Sequence, residues 1–341
     1  MKLPVRIVLW VLCALLILLT PFVISSPQIL EEARWEITDR IEESGHWTLF
    51  PTANAEAEWE DAVSEYELPI DRSAGMKPNP ANYTGDGYED ESISVRMETL
   101  EEDGIVWRIA WVNIASPTQL RTNFYANSAK KTDEQNIKND KGYGYVTKMA
   151  KENNAIVAMN GSAFTRSAKL HSFEVRMGIV RQKKINKDLD ILIIDENGDF
   201  HVFPKSAGAD TFERDTGHQI VNAFMFGPAL VKDGEVLTLP KKYGNYNATG
   251  KEPRAAFGQT DKLTYVMVIA DGRGKSGSDG CTLQTLADFI GRLGCTQAYN
   301  FDGGNSAILV FNDEIYNYKA QERDINDLIY FATAVPEEAW N

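Results

Sequence analysis

Residues 265–311 constrain the fold more than any other stretch, because two apolar runs there each end in an Asp-Gly step. The first run ends in Asp271-Gly272-Arg273 and the second in Asp302-Gly303-Gly304. Between them, Thr282–Arg292 repeats apolar side chains at helical spacing, and Gly294 follows as a helix stop. Strand, helix and strand in this order predict a right-handed crossover between parallel strands. Both Asp-Gly steps then lie at one edge of the sheet, which is where open α/β sheets bind their ligands.

The composition is that of an ordinary globular chain, with 43% hydrophobic and 25% charged residues among 341. A chain of this length buries a core that needs no disulfide staples. Its net charge is -14 at pH 7, and no cluster of Lys and Arg offsets that charge. These values predict that the protein does not bind nucleic acid.

Val5–Ile24 is nearly continuous apolar sequence, and its length suits a membrane span of about 20 residues. Lys2 and Arg6 lie at its start, while Glu31 and Glu32 follow it. By the positive-inside rule, this pattern keeps the N-terminus in the cytoplasm and predicts a single-pass cell-membrane protein whose domain faces the extracellular side.

The alternative for this segment is a signal peptide cleaved after Ser26, although Pro27 would then be the first residue and no A-x-A pattern precedes it. The sequence favours the uncleaved anchor. We therefore divide the chain into an anchor at residues 1–26, a juxtamembrane helical stalk and linker at 27–87, and a single domain at 88–336.

The remaining pattern predicts an α+β (mixed α/β) fold, with a mixed β-sheet core and flanking helices. Residues 254–259 and 263–270 are predicted to form a hairpin with its turn near Asp261. Arg254 then pairs roughly opposite Val268 and shares the sheet edge with Asp271. An earlier apolar strand ends in Asn160-Gly161, which brings Asn160 to the same place.

Cysteine and histidine spacing predicts neither a disulfide nor a metal centre. Cys281 and Cys295 bracket a helix about 16 Å long, whereas disulfide partners need Cα atoms within about 7 Å. Both are predicted to be free, buried thiols. The four histidines show no metal-ligand spacing, so no metal and no cofactor is expected. A structural Ca²⁺ held by the acidic loop that contains Asp271 and Asp279 is the alternative.

The residues predicted to converge suit a substrate that is both sugar and phosphate. Paired carboxylates, here Asp271 and Asp302, serve acid/base chemistry at a sugar anomeric carbon. Arg254 and Arg273 match phosphate through charge-assisted hydrogen bonds, and the glycines after Asp302 offer backbone N–H groups to an anion. Taken singly, an Asp-Gly step is more often a plain turn, so the prediction depends on convergence.

At this point the chain resembles a known family, the phosphodiester glycosidases. Tyr299–Val310 (Y-N-F-D-G-G-N-S-A-I-L-V) resembles their N-L-D-G-G-G-S-S/A signature. Four further matches follow in the family's order: Met159–Phe164 resembles I-N-G-G-F-F, Phe226–Gly234 resembles G-P-x-L-V…D-G, Pro253–Gly258 resembles P-R-T-A-I-G, and Asp271–Ala298 resembles D-G-R…G-x-T-L-x-E-L-A…L-G-x-x-x-A. The chain departs where Asn305 replaces the third glycine and Ser162-Ala163 replaces Gly-Phe.

The resemblance implies hydrolysis of a glycosyl–phosphodiester bond in a cell-surface or extracellular phosphoglycan. On this hypothesis Arg254 and Arg273 hold the phosphate, while Asp271 and Asp302 act at the anomeric centre as base, nucleophile or cation stabiliser. The groups that orient the sugar are Asn160, Gly161, Asn300, Gly303, Gly304 and Ser306. The alternative function is a non-catalytic envelope module that binds phosphorylated polysaccharide during exopolysaccharide or cell-wall assembly.

Overall fold

The computed structural model describes residue 70 and residues 72–124, 144–162, 173–182, 184–243, 246–274, 276–318 and 322–340. The predicted anchor at residues 5–24 and the predicted stalk up to residue 69 lie outside this part of the chain. Within it, no helix combines the length and apolar character needed to cross a bilayer.

Strands dominate the described part of the chain, and three α-helices interrupt them. The helices are α1 (Val146–Glu152), α2 (Phe212–Thr216) and α3 (Leu283–Arg292). The strands are, in chain order, β1 (Gly87–Glu89), β2 (Ile93–Glu102), β3 (Ile105–Ile114), β4 (Leu120–Phe124), β5 (Val157–Asn160), β6 (Glu174–Arg176), β7 (Ile179–Gln182), β8 (Ile191–Asp195), β9 (Phe200–Phe203), β10 (Ile220–Phe224), β11 (Ala229–Lys232), β12 (Glu235–Val236), β13 (Lys242–Tyr243), β14 (Tyr246–Asn247), β15 (Arg254–Asp261), β16 (Thr264–Ala270), β17 (Gln297–Phe301), β18 (Leu309–Phe311), β19 (Glu314–Ile315) and β20 (Asp327–Phe331).

The largest sheet has eight strands in the order β1-β2-β3-β16-β15-β17-β11-β12. β15 pairs antiparallel with both β16 and β17, so those two strands run parallel to each other without being neighbours. The predicted crossover through α3 therefore does join parallel strands. The hairpin of β15 and β16 places β15 between them, and both Asp-Gly steps still end at one sheet edge.

The α+β class is confirmed, although the described strands pair only antiparallel where a mixed sheet was predicted. Two further sheets have the orders β7-β6-β10-β8-β9 and β19-β18-β5-β20-β4. Alternate side chains of all three sheets meet in one central core, because each strand turns every second residue to the same face. Phe257 of the largest sheet, Leu192 of β8 and Phe331 of β20 all belong to this core.

Helix α3 covers the other face of the largest sheet. Thr282 caps it by accepting a hydrogen bond from the Thr285 N–H, at 3.1 Å, and Gly294 follows its end with a φ of 86°. Both ends agree with the sequence-based prediction. The Phe289 ring stacks on Trp107 of β3 with centroids 3.7 Å apart, so the helix is fixed to the centre of the sheet.

The hairpin of β15 and β16 differs in register from the prediction. Arg254 pairs with Ala270 rather than with Val268. The turn lies at Lys262 and Leu263, one to two residues later than expected, and a bulge between Gln259 and Asp261 adjusts the pairing. Arg254 nevertheless begins its strand at the predicted edge.

Cys281 and Cys295 are free and buried, as predicted. Burial raises the pKa of both thiols to about 12, so both stay protonated at neutral pH. Residues 72–83, which the sequence suggested as linker, contact the domain: Arg72 Nε donates to the Met177 carbonyl at 3.0 Å, and the Gly75 N–H donates to the Asn153 carbonyl at 3.1 Å.

Candidate active site

The loop that follows β17 carries Asp302 and lies against the start of β15. The Gly304 N–H donates to the Pro253 carbonyl at 2.7 Å. A Cβ on Gly303 would lie 2.6 Å from that same carbonyl oxygen, which no side chain tolerates. Gly304 has a φ of 58°, in the left-handed region that favours glycine. The two glycines therefore let the loop fold closely over the neighbouring strand.

The Asp302 side chain lies partly below the surface beside Ser306 and Arg323. Burial raises the pKa of this carboxyl and the nearby Asp327 adds to the rise, while the Ser306 hydroxyl and Arg323 oppose it. Ser306 Oγ also accepts from Arg323 Nη1 at 3.1 Å. An acid, a hydroxyl and a guanidinium thus share one small region.

Asn160 and Gly161 join this loop to β5. Asn160 Nδ2 donates to the Asp302 carbonyl at 2.8 Å and Asn160 Oδ1 accepts from the Ile308 N–H at 3.0 Å. The Asp302 N–H in turn approaches the Gly161 carbonyl at 3.4 Å. Asn160 is brought to the site as predicted, but its amide holds the Asp302 backbone.

Gly161 separates Asp302 from a second carboxylate, Asp327. A Cβ on Gly161 would lie 2.5 Å from the Asp327 carboxyl atoms, so position 161 accepts only glycine without displacing Asp327. The Gly161 N–H donates to the Asp327 carbonyl at 3.0 Å. The two acids therefore lie on either side of one glycine, which explains why Asp327 contributes to the raised pKa of Asp302.

Asp327 belongs to a buried network of charges that the sequence did not predict. Arg176, which is 1% exposed, donates from Nη2 to Asp327 Oδ2 at 2.8 Å and to Glu174 Oε1 at 3.2 Å. Arg181 Nη1 donates to the other oxygen of Glu174 at 3.0 Å. The Arg176 guanidinium also lies 3.7 Å from the centroid of the Phe224 ring. One signal was available: Glu174 and Arg176 are charged residues on either side of Val175 in a three-residue strand.

Asp271 lies at the same sheet edge but is bound by partners of its own. Its Oδ2 accepts from Arg108 Nε at 3.0 Å and from Ser276 Oγ at 3.0 Å. Its Oδ1 accepts from the Tyr318 N–H at 3.1 Å. A carboxylate that is buried with three donors already holds most of the hydrogen bonds it can accept.

Arg273 lies at the rim of the Asp302 loop. Its Nε donates to Glu252 Oε2 and its Nη1 to Asn305 Oδ1, both at 2.6 Å. A Cβ on Gly304 would be 3.2 Å from Arg273 Nη2, so the guanidinium lies directly beside the glycine loop. Asn305, the departure from the family signature, thus contacts the arginine predicted to bind phosphate.

The side chains of Arg254 and Asn300 form hydrogen bonds with backbone carbonyls outside the Asp302 loop. Arg254 Nη2 donates to the Gly250 carbonyl at 3.0 Å, its Nε approaches the Cys281 carbonyl at 3.3 Å, and burial lowers its pKa. Asn300 Nδ2 donates to the Gly227 carbonyl at 2.8 Å. Both side chains therefore tie backbone segments together.

The predicted residues fall into three groups around the Pro253 edge. Asp302 and Ser306 meet Arg323, which no motif indicated, and Asn160, Gly161 and Gly303 hold this group in place. Arg273 and Gly304 form the rim. Asp271, Arg254 and Asn300 are bound to neighbouring backbone or to Arg108. A partly buried carboxyl next to a hydroxyl and a guanidinium can accept or donate a proton beside an anionic group.

Comparison with known proteins gives one curated relative and several solved structures. An uncharacterised SPbeta prophage-derived protein of Bacillus subtilis strain 168, YomE, is 27% identical over 172 residues, which is 48% of this chain and 25% of that protein. The chain therefore spans about a quarter of the length of this relative.

Two solved structures share the fold. The catalytic domain of zebrafish N-acetylglucosamine-1-phosphodiester alpha-N-acetylglucosaminidase, auto-inhibited by its pro-peptide, superimposes with a TM-score of 0.53 at 16% identity, covering 76% of this chain and 87% of that one. A hypothetical protein from Synechocystis gives a TM-score of 0.52 at 14% identity, covering 70% of this chain and 62% of that one.

The sequence model of one family, described as phosphodiester glycosidase, matches residues 153–332, just over half of the chain. The matched range contains Asn160, Arg176, Asp302, Arg323 and Asp327, so it includes both the Asp302 group and the charge network behind it. The chain belongs to the phosphodiester glycosidase family.

Proposed function

We propose that this protein hydrolyses a glycosyl–phosphodiester bond in a phosphorylated glycan and releases the sugar. The observation that carries the proposal is the partly buried Asp302 carboxyl, whose pKa is raised by burial and which lies beside Ser306 and Arg323. Family membership supports the reaction class. The substrate is a cell-surface or extracellular phosphoglycan, in keeping with the predicted outward-facing domain.

Asp302 acts as the general base in this proposal. Water attacks the anomeric carbon, and its proton moves to an Asp302 carboxylate oxygen. The bond between the anomeric carbon and the phosphate oxygen breaks, and its electron pair leaves with the phosphate. A phosphate is a good leaving group, so one carboxylate suffices, and a carboxylate with a raised pKa is a stronger base than an ordinary aspartate.

The phosphate lies between Arg323 and Arg273, with the Gly303-Gly304 backbone beneath it. Two guanidinium groups offer the bidentate donors that suit phosphate oxygens. Arg273 would exchange its hydrogen bond to Asn305 for one to the substrate. This assignment replaces Arg254 with Arg323, because Arg254 is buried and binds the Gly250 and Cys281 carbonyls, whereas the Arg273 side chain is exposed.

The test is turnover of a panel of sugar-1-phosphate diesters, followed by release of reducing sugar. We expect Asp302→Asn to lower kcat by about 10²–10⁴-fold, the usual contribution of a general base. Arg323→Gln should raise KM and lower kcat, since it binds the group that becomes more negative as it leaves. Asp279→Asn is the matched control, because Asp279 is an exposed aspartate whose partner is Lys251.

Asp271→Asn separates this assignment from the one based on sequence alone. If folded Asp271→Asn loses as much kcat as Asp302→Asn, then both carboxylates act at the anomeric centre and the single-base mechanism is wrong. Binding of a phosphorylated glycan without turnover in the unsubstituted protein would instead support the envelope-binding module.

A further inference from the structure

Two histidines and two acids meet at one end of the sheet that contains β8, on the face away from the central core. Three adjacent strands supply them. His201 lies on β9 opposite Ile193, Asp195 ends β8 opposite Ile220, and His218 precedes β10. Antiparallel register brings these positions to one face, because Ile193 packs in the outer core cluster while Leu192 packs in the central one.

The donor atoms lie within the reach of one metal ion. Asp195 Oδ2 is 2.9 Å from His201 Nε2 and 4.0 Å from His218 Nδ1. Glu196 Oε1 is 2.9 Å from His218 Nδ1. The ligand atoms of Asp195, Glu196 and His218 all lie within 4.8 Å of one another. Ligands about 2.0–2.2 Å from a tetrahedral zinc are roughly 3.4 Å apart, between the two separations measured from His218 Nδ1.

The carboxylates at this place outnumber the basic side chains that contact them. The Asp195 side chain is only 1% exposed, and among the described residues its ion-pair partners are the two histidines, with no Lys or Arg. Glu196 and Asp199 add two further carboxylates close by. Buried carboxylates are normally paired with a cation or coordinate a metal. Three carboxylates thus meet two histidines here, and the described ion pairs of Asp195 and Glu196 include no lysine or arginine.

The Asp195 carboxylate is already oriented for a ligand. Its Oδ1 accepts the N–H groups of Asn197 and Asp199 at 2.9 and 3.0 Å, which leaves Oδ2 facing the imidazoles. Because a carboxylate only accepts, His201 Nε2 carries the proton in their shared hydrogen bond. His201 thus donates a hydrogen bond to the oxygen that would bind the ion, without binding the ion itself. Such hydrogen bonds orient the ligands of metal sites.

We propose that Asp195, Glu196 and His218 bind a divalent transition-metal ion of the zinc class, with His201 positioning Asp195 and water completing the coordination. An imidazole ligand favours zinc over calcium or magnesium, which prefer oxygen ligands alone. The histidines are 17 residues apart, one on β9 and the other just before β10, which is why their sequence spacing predicted no site. The site is separate from Asp302 and does not depend on the proposed function, since Arg176 and Phe224 of the Asp302 side face the central core.

The experiment is calorimetric titration of the full-length chain, purified in detergent and freed of metal by chelation, with Zn²⁺ and separately with Ca²⁺. We expect one Zn²⁺ per chain and much weaker Ca²⁺ binding. His218→Ala and Glu196→Gln should weaken Zn²⁺ binding at least tenfold, and His201→Gln by about 10–100-fold, as for outer-shell partners. Asp210→Asn, an exposed aspartate near the same sheet, is the control that should bind as the unsubstituted protein does.

His218 and Glu196 are partly exposed, so their variants are expected to fold, and circular dichroism checks that they do. Zinc binding that is unchanged in both variants would show that the ion lies elsewhere and overturn the proposal. Absence of zinc binding, or equal affinity for Ca²⁺, would overturn it as well. Zinc binding lost in these variants and kept in Asp210→Asn supports it.

Discussion

At the scale of single residues, the burial that makes Asp302 a stronger base also lowers the stability of the folded protein when the carboxyl is ionised. Its pKa in the folded protein is raised above the ordinary value of 3.8, chiefly by burial. The folded state therefore resists ionisation of this group more than the unfolded state does. Its contribution to stability is fully present below pH 3.8 and is lost as pH rises through the raised pKa. Above the raised pKa the ionised carboxylate destabilises the fold.

We expect Asp302→Asn to be more stable than the unsubstituted protein at pH 7 while losing turnover. Asparagine keeps the size and a hydrogen-bond acceptor for Ser306, and it removes the charge that burial opposes. Thermal melting between pH 3 and pH 8 measures this. The gain in Tm should vanish near the acid end, and Asp279→Asn should show no such pH-dependent gain. A Tm for Asp302→Asn below that of the parent at pH 7 contradicts the prediction.

At the scale of elements, α3 fixes the two Asp-Gly edges relative to each other, because it links β16 to β17 and packs across β15. One of its attachments is the stack of Phe289 on Trp107. We expect Phe289→Ala to lower the free energy of unfolding by about 3–5 kcal/mol, the usual cost of emptying a buried aromatic site. Urea unfolding measures the loss.

Phe289→Leu should lose less, since it refills part of the cavity. Asp288→Ala, on the exposed side of the same helix, should change stability by about 0.5 kcal/mol or less. Equal destabilisation by Phe289→Ala and Asp288→Ala would mean that the stack does not hold α3 in place.

Local periodicity was sufficient to predict α3 and its stop, because these depend on side chains within a few turns of each other. The sequence pattern also predicted the hairpin of β15 and β16 and the shared edge. It could not predict that β15 lies between β16 and β17, since strand order depends on the whole sheet. The predicted register of Arg254 was wrong because a bulge interrupts the pairing and the turn lies one to two residues later than expected.

The candidate site shows the same division between local and distant contacts. Asp302 and Ser306 were predicted because they share one motif. The partner of Asp271, Arg108, lies 163 residues away in sequence, and that of Asp327, Arg176, lies 151 residues away. No spacing rule connects such pairs, and only the packed sheets bring them together. Arg323 was missed because it stands in a polar segment without any motif.

At the scale of the whole molecule, the predicted anchor would determine whether the domain stays attached to the membrane. The candidate site takes its side chains from residues 108–327, far in sequence from the apolar stretch at residues 5–24. Because no predicted site residue lies in that stretch, we expect an anchor to tether the domain without contributing to the reaction. We expect the full chain, made in a bacterial host, to stay in the membrane fraction after an alkaline wash and to be digested by protease added outside the cells.

A chain that begins at residue 27 should be soluble when made in the cytoplasm, with kcat within about twofold of the anchored form, because no predicted site residue is removed. Reversing the flanking charges with Lys2→Glu and Arg6→Glu should lower the fraction of domains exposed outside, since basic residues keep that end in the cytoplasm. Mass spectrometry of the purified full chain decides between the two interpretations of the N-terminus. A mature protein that starts at Pro27 and is released from the membrane identifies residues 1–26 as a signal peptide and contradicts the anchor.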